Sequence, residues 1–171
     1  RRTSIERYAA SYYLAIVMPN AHRSFYTDMK AGRRYFAYMT DELPRLMESF
    51  FSFSDKREDR FVAGLSMGGY GAFKMAINLP DRYAAGASLS GVLDIAGAWA
   101  RNEDFFPDVF GESVVNPPDN VLAAVDKLVA NTPQKQWPKL FQFCGTDDFL
   151  YEDNVKFQAQ VKKAGLPVTY R

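Results

Sequence analysis

The sequence predicts an α/β fold built on a mainly parallel sheet flanked by helices, and three observations carry that prediction. Short runs that are almost wholly apolar recur along the chain, at 12–18 (YYLAIVM), 61–65 (FVAGL), 84–89 (AAGASL) and 139–144 (KLFQFC). Strands covered on both faces read this way. Segments with helical apolar spacing separate several of these runs, and that alternation favours parallel pairing. The third observation is Gly64-Leu65-Ser66-Met67-Gly68, a G-x-S-x-G motif set between a strand-like run and a helix-like one.

Taken in order, residues 3–10 read as a short helix and 12–18 as a strand, which Pro19-Asn20 stops. Residues 21–32 are a loop carrying Phe25 and Tyr26. Phe36, Met39, Leu43, Leu46, Met47 and Phe50 keep the helical period, so 35–50 is predicted to be one amphipathic helix, kinked or split at Leu43 by Pro44. The run Asp55-Lys56-Arg57-Glu58-Asp59-Arg60 mixes signs and reads as a solvated loop. The strand Phe61–Leu65 follows, then the serine turn, then a helix on which Ala72, Met75, Ala76 and Leu79 are spaced and which Pro80 ends. The strand at 84–89 comes next.

Residues 91–138 differ in texture. They hold several prolines, the aromatics Trp99, Phe105, Phe106, Phe110 and Trp137, and one clear helix marked by Val121, Leu122, Val125, Leu128 and Val129. The stretch reads as a lid-like insertion within one domain covering 1–171. The core resumes with the strand at 139–144. A turn at Gly145-Thr146-Asp147-Asp148, a helix over 152–164 capped by Gly165, and a last strand from Val168 complete it.

Composition narrows the function. Of 171 residues 47% are hydrophobic and 24% charged, a globular balance, and the net charge of +1 points to no polyanionic partner, neither nucleic acid nor a membrane surface. No run reaches the length of a membrane-crossing helix. No signal peptide is visible, although the chain opens Arg1-Arg2-Thr3-Ser4 without a methionine. Cys144 is the one cysteine and His22 the one histidine, so no intrachain disulfide and no zinc site is expected; Cys144 reads as a buried small hydrophobe. No cofactor is implied. The compartment is not fixed, with the cytoplasm favoured, and a homo-oligomer is left open.

The chemistry starts at Ser66. A tight strand-to-helix turn forces the serine into a strained backbone conformation and lifts its hydroxyl clear of the sheet edge. The helix that follows turns its free N–H groups to the same spot, so the Met67 N–H is placed to bind an oxyanion. Ligands of open parallel sheets sit at the C-terminal strand ends. Asp147 and Asp148 lie at another such end, where an acid can orient a histidine. Asp148 is preferred, Asp147 is the alternative, and Asp94 is third; turn chemistry is the competing reading of the pair. The base is the difficulty. His22 precedes the serine, whereas the serine, acid, histidine order places the base last. His22 therefore reads as a loop or pocket-rim residue, and a second oxyanion donor is not visible either. Phe25, Tyr26, Trp99, Phe105 and Phe106 are candidates for the acyl pocket, with core packing as the alternative for each.

The segments VMPNAHRSFYTD (17–28), GLSMGGYGAFKMA (64–76) and CGTDDFLYE (144–152) resemble the esterase D or tributyrin-esterase-like branch of the α/β-hydrolases. S-formylglutathione hydrolases, acetyl-xylan and feruloyl esterases and mycolyltransferases are similar in their elbow and residue order. The resemblance covers nearly the whole chain. It implies an α/β-hydrolase fold, Ser66 as nucleophile, Asp148 as triad acid, the Met67 N–H as oxyanion donor, and short-chain acyl esters or thioesters as small-molecule substrates. An acyltransferase using the same acyl-enzyme, or a non-catalytic binding domain that keeps the elbow, are the alternatives. In that family a His-Gly segment precedes the region matching Arg1 and a Gly-x-His-Glu-Trp-like segment follows the region matching Arg171. The expectation is thus an α/β-hydrolase sheet incomplete at both ends, with the catalytic histidine and second oxyanion donor outside these residues, and with the 12–18 and Phe61–Leu65 strands separated by one strand.

Overall fold

The computed structural model describes residues 4–101, 104–114 and 116–171. The chain begins with helix α1 (Ile5–Ala10); Thr3, expected to start it, lies outside the described residues. The next segment departs from expectation. Residues 14–20 run on without pairing into the sheet, and Tyr12, Tyr13, Leu14, Ile16, Val17 and Met18 are all exposed. The physical reason is the missing hydrogen-bonding neighbour. A β-strand is stable only when its N–H and C=O groups are paired across a ladder, and no described strand pairs with these.

The predicted 35–50 helix is broken at the expected place. It consists of α2 (Tyr35–Ala37), a π-helical turn (Tyr38–Glu42) and α3 (Leu43–Phe50). Pro44 explains the break, because it has no N–H to donate to the Thr40 carbonyl four residues back. The Arg82 guanidinium donates to that carbonyl instead, and the Leu43 N–H reaches back five residues to the Tyr38 carbonyl. The charged loop after α3 is more than a solvated run. Arg57 donates to the carbonyls of Pro80 (2.5 Å) and Gln136 (2.9 Å), and Arg60 pairs with Glu48 at 2.6 Å.

Then come β1 (Phe61–Leu65), α4 (Met67–Asn78) and β2 (Ala85–Leu89). Between β2 and β3 the described residues form α5 (Ile95–Ala100), α6 (Phe106–Phe110), α7 (Val121–Asn131) and a short 3-10 turn, with no strand among them. β3 (Lys139–Phe143), α8 (Tyr151–Ala164) and β4 (Val168–Tyr170) complete the fold. Gly165 closes α8 in the left-handed conformation, φ 74°, which glycine adopts without steric cost.

The four strands form one parallel sheet in the order β1-β2-β3-β4, so β1 is an edge. Leu65, Leu89 and Phe143 stand side by side at the C-terminal end of the first three strands. The core lies where α4, α7 and α8 pack. Tyr70, Phe73, Val121, Val125 and Phe157 are fully buried there, and the Phe73 and Phe157 rings meet at 5.0 Å. Burying side chains of this size contributes about 2 kcal/mol each before entropy is counted.

Candidate active site

Ser66 sits at the junction of β1 and α4 with φ 56° and ψ −118°, a region that non-glycine residues enter only under strain. The surrounding bonds hold it there. Its N–H donates to the Leu89 carbonyl at 2.9 Å, extending the β1–β2 ladder by one residue, and its own carbonyl accepts the Tyr70 N–H at 3.1 Å. Gly64 makes the bend possible: a Cβ at that position would lie 2.2 Å from the Gly68 carbonyl oxygen. Gly68 itself is less crowded than the motif suggests, since a Cβ there would meet only the Tyr26 hydroxyl at 3.5 Å.

The Ser66 side chain makes no hydrogen bond to a described residue, and the residue is partly exposed. Met67 is the first residue of α4. Its N–H cannot be used within the helix, and it stands at the positive end of the helix dipole. A reacting carbonyl placed over Ser66 would meet both groups.

The other predicted acids separate clearly. Asp148 is half-buried in the turn after β3. Its Oδ1 accepts the Leu150 N–H at 2.8 Å and its carbonyl accepts the Tyr151 N–H at 2.9 Å. The carboxylate therefore shapes the entry to α8, as turn chemistry requires, and retains a second oxygen. Asp147 is exposed. With strands spaced about 4.8 Å apart, the ends of β1 and β3 are separated by roughly 10 Å, one strand intervening. Asp94 is committed elsewhere. It caps α5 by accepting the Gly97 N–H at 3.0 Å and pairs with Lys156 at 2.5 Å. Burial works against its charge, but the Lys156 and Gly97 hydrogen bonds outweigh it and hold its pKa below the ordinary carboxylate value.

His22 lies in an exposed turn with φ 49°, its ring edge-on to Tyr35 at 6.1 Å. Cys144 is buried, as its apolar run predicts. Among the described residues no cluster of three or more His, Cys, Asp or Glu could hold a metal ion, and no helix is long and apolar enough to cross a membrane.

The aromatic candidates divide. Phe106 is buried in the core, stacked on Phe110 at 5.5 Å and packed on Phe25 at 4.9 Å, so it lines no open pocket. Phe25 is the hub of that cluster and also meets Tyr70 and Phe105. Phe105 carries Arg23 over its face at 4.3 Å. Trp99 donates to the Gly111 carbonyl at 3.1 Å and borders a shallow depression shared with Lys30, Pro107 and Glu112. Tyr26 packs against the backbone at the start of α4. Its ring covers Gly71, where a Cβ would lie 2.3 Å from Tyr26 Cδ2, and its hydroxyl points toward Gly68. That hydroxyl bonds to no described residue, and burial raises its pKa.

Sequence reasoning missed Lys74. It sits on α4 eight positions beyond Ser66 and is fully buried. Its ammonium donates to the Tyr26 carbonyl (2.8 Å), Thr27 Oγ1 (2.8 Å) and Asp119 Oδ1 (2.6 Å). Burial pulls its pKa down to about 8, opposed by Asp119 and more weakly by Asp28. A signal was present. It was only a weak one: Lys74 lies off the stripe of Ala72, Met75, Ala76 and Leu79, yet its sequence neighbours Phe73 and Met75 are apolar.

Comparison with known proteins identifies the family. The family described as "Putative esterase" matches residues 2–164. An acetyl esterase of Caldicellulosiruptor saccharolyticus is 30% identical over 93% of the chain. The match spans 64% of that protein's length. A fluorophosphonate-binding serine hydrolase of Staphylococcus aureus, solved with substrate bound, is 37% identical with a TM-score of 0.87, over 99% of this chain and 67% of that one. An S-formylglutathione hydrolase from the same organism is 36% identical with a TM-score of 0.85, covering 100% and 68% respectively. The fold is therefore that of the α/β-hydrolases.

Proposed function

The chain belongs to this esterase family, and from that premise we propose that it acts as a serine carboxylesterase on short-chain acyl esters or thioesters, with Ser66 as the acylated nucleophile. One observation carries the reading. Ser66 is held at φ 56° at the head of α4, its hydroxyl bonded to no described residue. Backbone strain of this kind costs on the order of 1–3 kcal/mol and persists where the surroundings enforce it.

The steps use the chain's own Ser66, Met67 and Asp148 together with a base that the described residues do not place at the Ser66 hydroxyl. Ser66 Oγ attacks the acyl carbon as its proton passes to a base, and the carbonyl oxygen becomes an oxyanion against the Met67 N–H. The intermediate collapses, the leaving alcohol or thiol takes a proton, and the acyl group stays on Ser66. Water then attacks that ester, releasing the acid and restoring the serine. Asp148 is the acid that orients the base in this scheme, through the oxygen that Leu150 does not engage. Tyr26 forms a wall of the acyl site beside Gly68. A small acyl group is supported by the names of two relatives, an acetyl esterase and an S-formylglutathione hydrolase.

The test is covalent labelling of the whole protein with a fluorophosphonate, followed by peptide mass mapping. The expected adduct lies on the peptide containing Ser66 and is lost in Ser66→Ala. An adduct on another residue would defeat the assignment.

A further inference from the structure

We propose that Lys74 is a positioning residue for specificity: by clamping the 22–27 turn onto the same helix that presents Ser66, it fixes the distance between Tyr26 and the nucleophile. The proposal rests on the reading of Tyr26 as a wall of the acyl site.

The turn does not hold itself. His22, Phe25 and Tyr26 all have φ near +50°, a conformation that costs side-chain-bearing residues free energy. Some of the restraint is local, since the Tyr26 N–H donates to Ser24 Oγ at 3.1 Å and Thr27 Oγ1 donates to the Phe25 carbonyl at 3.0 Å. The Ser24 and Thr27 N–H groups donate within the turn, to the Ala21 and Ser24 carbonyls, the Tyr35 N–H donates to the Thr27 carbonyl at 3.2 Å, and Phe25 packs among Tyr70, Phe105, Phe106 and Phe110. Lys74 adds the charged side-chain anchor from α4. All three N–H donors of its ammonium have an acceptor: the Tyr26 carbonyl, Thr27 Oγ1 and Asp119 Oδ1. The ammonium also lies over the Phe36 ring at 4.7 Å and near that of Tyr70 at 5.7 Å. Tyr70, on the same helix, donates its hydroxyl to the Asp119 carbonyl at 2.8 Å. Asp119 is thus tied twice to α4, and the turn is tied to both.

The chemistry of the choice is informative. A buried ion pair often adds little stability relative to well-packed apolar residues, whereas directional bonds can select one arrangement among several. A lysine here spends its bonds on one carbonyl and one hydroxyl of the strained turn. Gly71 completes the arrangement by letting the Tyr26 ring lie against the helix backbone. Ser66 at the start of α4 and Lys74 two turns later then act as two fixed points on one rigid rod, and Tyr26 hangs from the second beside the first.

The experiment compares Lys74→Met, Thr27→Val and Tyr26→Ala in the whole protein, with p-nitrophenyl acetate and p-nitrophenyl butyrate as probes. Lys74→Met is expected to raise KM for the acetate about tenfold with a smaller change in kcat, and to shift the acetate-to-butyrate preference about fivefold toward butyrate. Thr27→Val should move both in the same direction by less, and it decides the matter if Lys74→Met does not fold. The double variant Tyr26→Ala/Lys74→Met should be no worse than Tyr26→Ala alone, because both remove the same wall. Unchanged preference in folded variants, or additive losses in the double variant, would overturn the proposal. Hydrogen exchange supplies a readout independent of turnover. The amides of residues 24–28 should exchange at least about tenfold faster in Lys74→Met while those of α8 do not change. Should the wild-type protein hydrolyse neither ester, the esterase reading fails, and the exchange measurement still decides the clamp.

Discussion

The two sides of β1 follow opposite rules. On one side β1 pairs with β2, α4 covers the sheet, and large aromatics such as Tyr70, Phe73 and Phe157 are fully buried. On the other side the β1 edge has no partner strand among the described residues, and Tyr12, Tyr13 and Phe50 are 73%, 100% and 73% exposed. The 12–18 run (YYLAIVM) is no less apolar in sequence than β1 (FVAGL) or β2 (AGASL). The difference teaches that hydrophobicity decides whether a segment tends to be buried, while backbone pairing decides whether it can be a strand. Four experiments sharpen the contrast.

The largest effect belongs to the packed side. Ser66→Ala should lower ester turnover by about 10⁴-fold or more, since removing the nucleophile leaves only binding and the oxyanion donor. The measurement is kcat on p-nitrophenyl acetate beside a thermal melt that does not move downward. Residual activity within tenfold of wild type would place the nucleophile elsewhere.

Next come two phenylalanines that differ in burial, Phe73 fully buried on α4 and Phe50 73% exposed at the end of α3. Phe73→Ala should cost about 3–5 kcal/mol of unfolding free energy, through lost transfer energy and the cavity left among Phe157 and its neighbours. Phe50→Ala, on exposed α3, should change it by less than about 0.5 kcal/mol. Urea unfolding of both variants checks this. A loss of several kcal/mol at Phe50 would show that the exposed face is covered in solution and would erase the contrast.

This contrast also explains what the sequence disclosed. β1, β2, β3 and β4 were legible because each apolar run finds a partner within the chain. The break at Leu43 was legible because proline lacks an N–H wherever it stands. The 12–18 run was read as a strand on composition, and its missing partner is not a local property. Ser66 and its glycines were readable because the motif encodes a local bend. Lys74, by contrast, owes its role to Thr27 and Asp119, which lie 47 and 45 residues away in sequence. No spacing rule links them, and only the fold brings them together. Phe106 was open to either reading until packing against Phe25 and Phe110 placed it in the core.

A smaller effect concerns pH. Lys74 titrates near 8 in the folded protein against an ordinary value of 10.5. Between those values the unfolded chain holds a proton that the folded chain has lost, so this site makes stability rise with pH. The groups facing it are Asp119, Asp28 and the Tyr70 hydroxyl. Burial and Asp119 raise the Tyr70 pKa well above 10, so that site has the opposite effect near pH 10, where unfolded tyrosine ionises. Burial also raises the Cys144 pKa, so that thiol opposes Lys74 from about pH 8.5, where an unfolded cysteine ionises. Over pH 8–9.5 Lys74 itself should add at most about 2 kcal/mol, read as the difference between the wild type and Lys74→Met. The urea midpoint of the wild type should rise relative to that of Lys74→Met across that window. Identical pH slopes would mean that Lys74 keeps its proton throughout.

The smallest effect tests the bend. Glycine accepts φ 56° without steric cost, so Ser66→Gly should release strain on the order of 1–3 kcal/mol. It also gives the unfolded chain more freedom, which takes back roughly 0.5–1 kcal/mol. The net expectation is a gain of about 1 kcal/mol in unfolding free energy with hydrolysis abolished. Ser66→Ala serves as the reference, since alanine loses the hydroxyl but keeps the Cβ and hence the strain. If the two variants are equally stable, the elbow stores no strain, and the hydroxyl is presented by the Leu89 and Tyr70 hydrogen bonds alone.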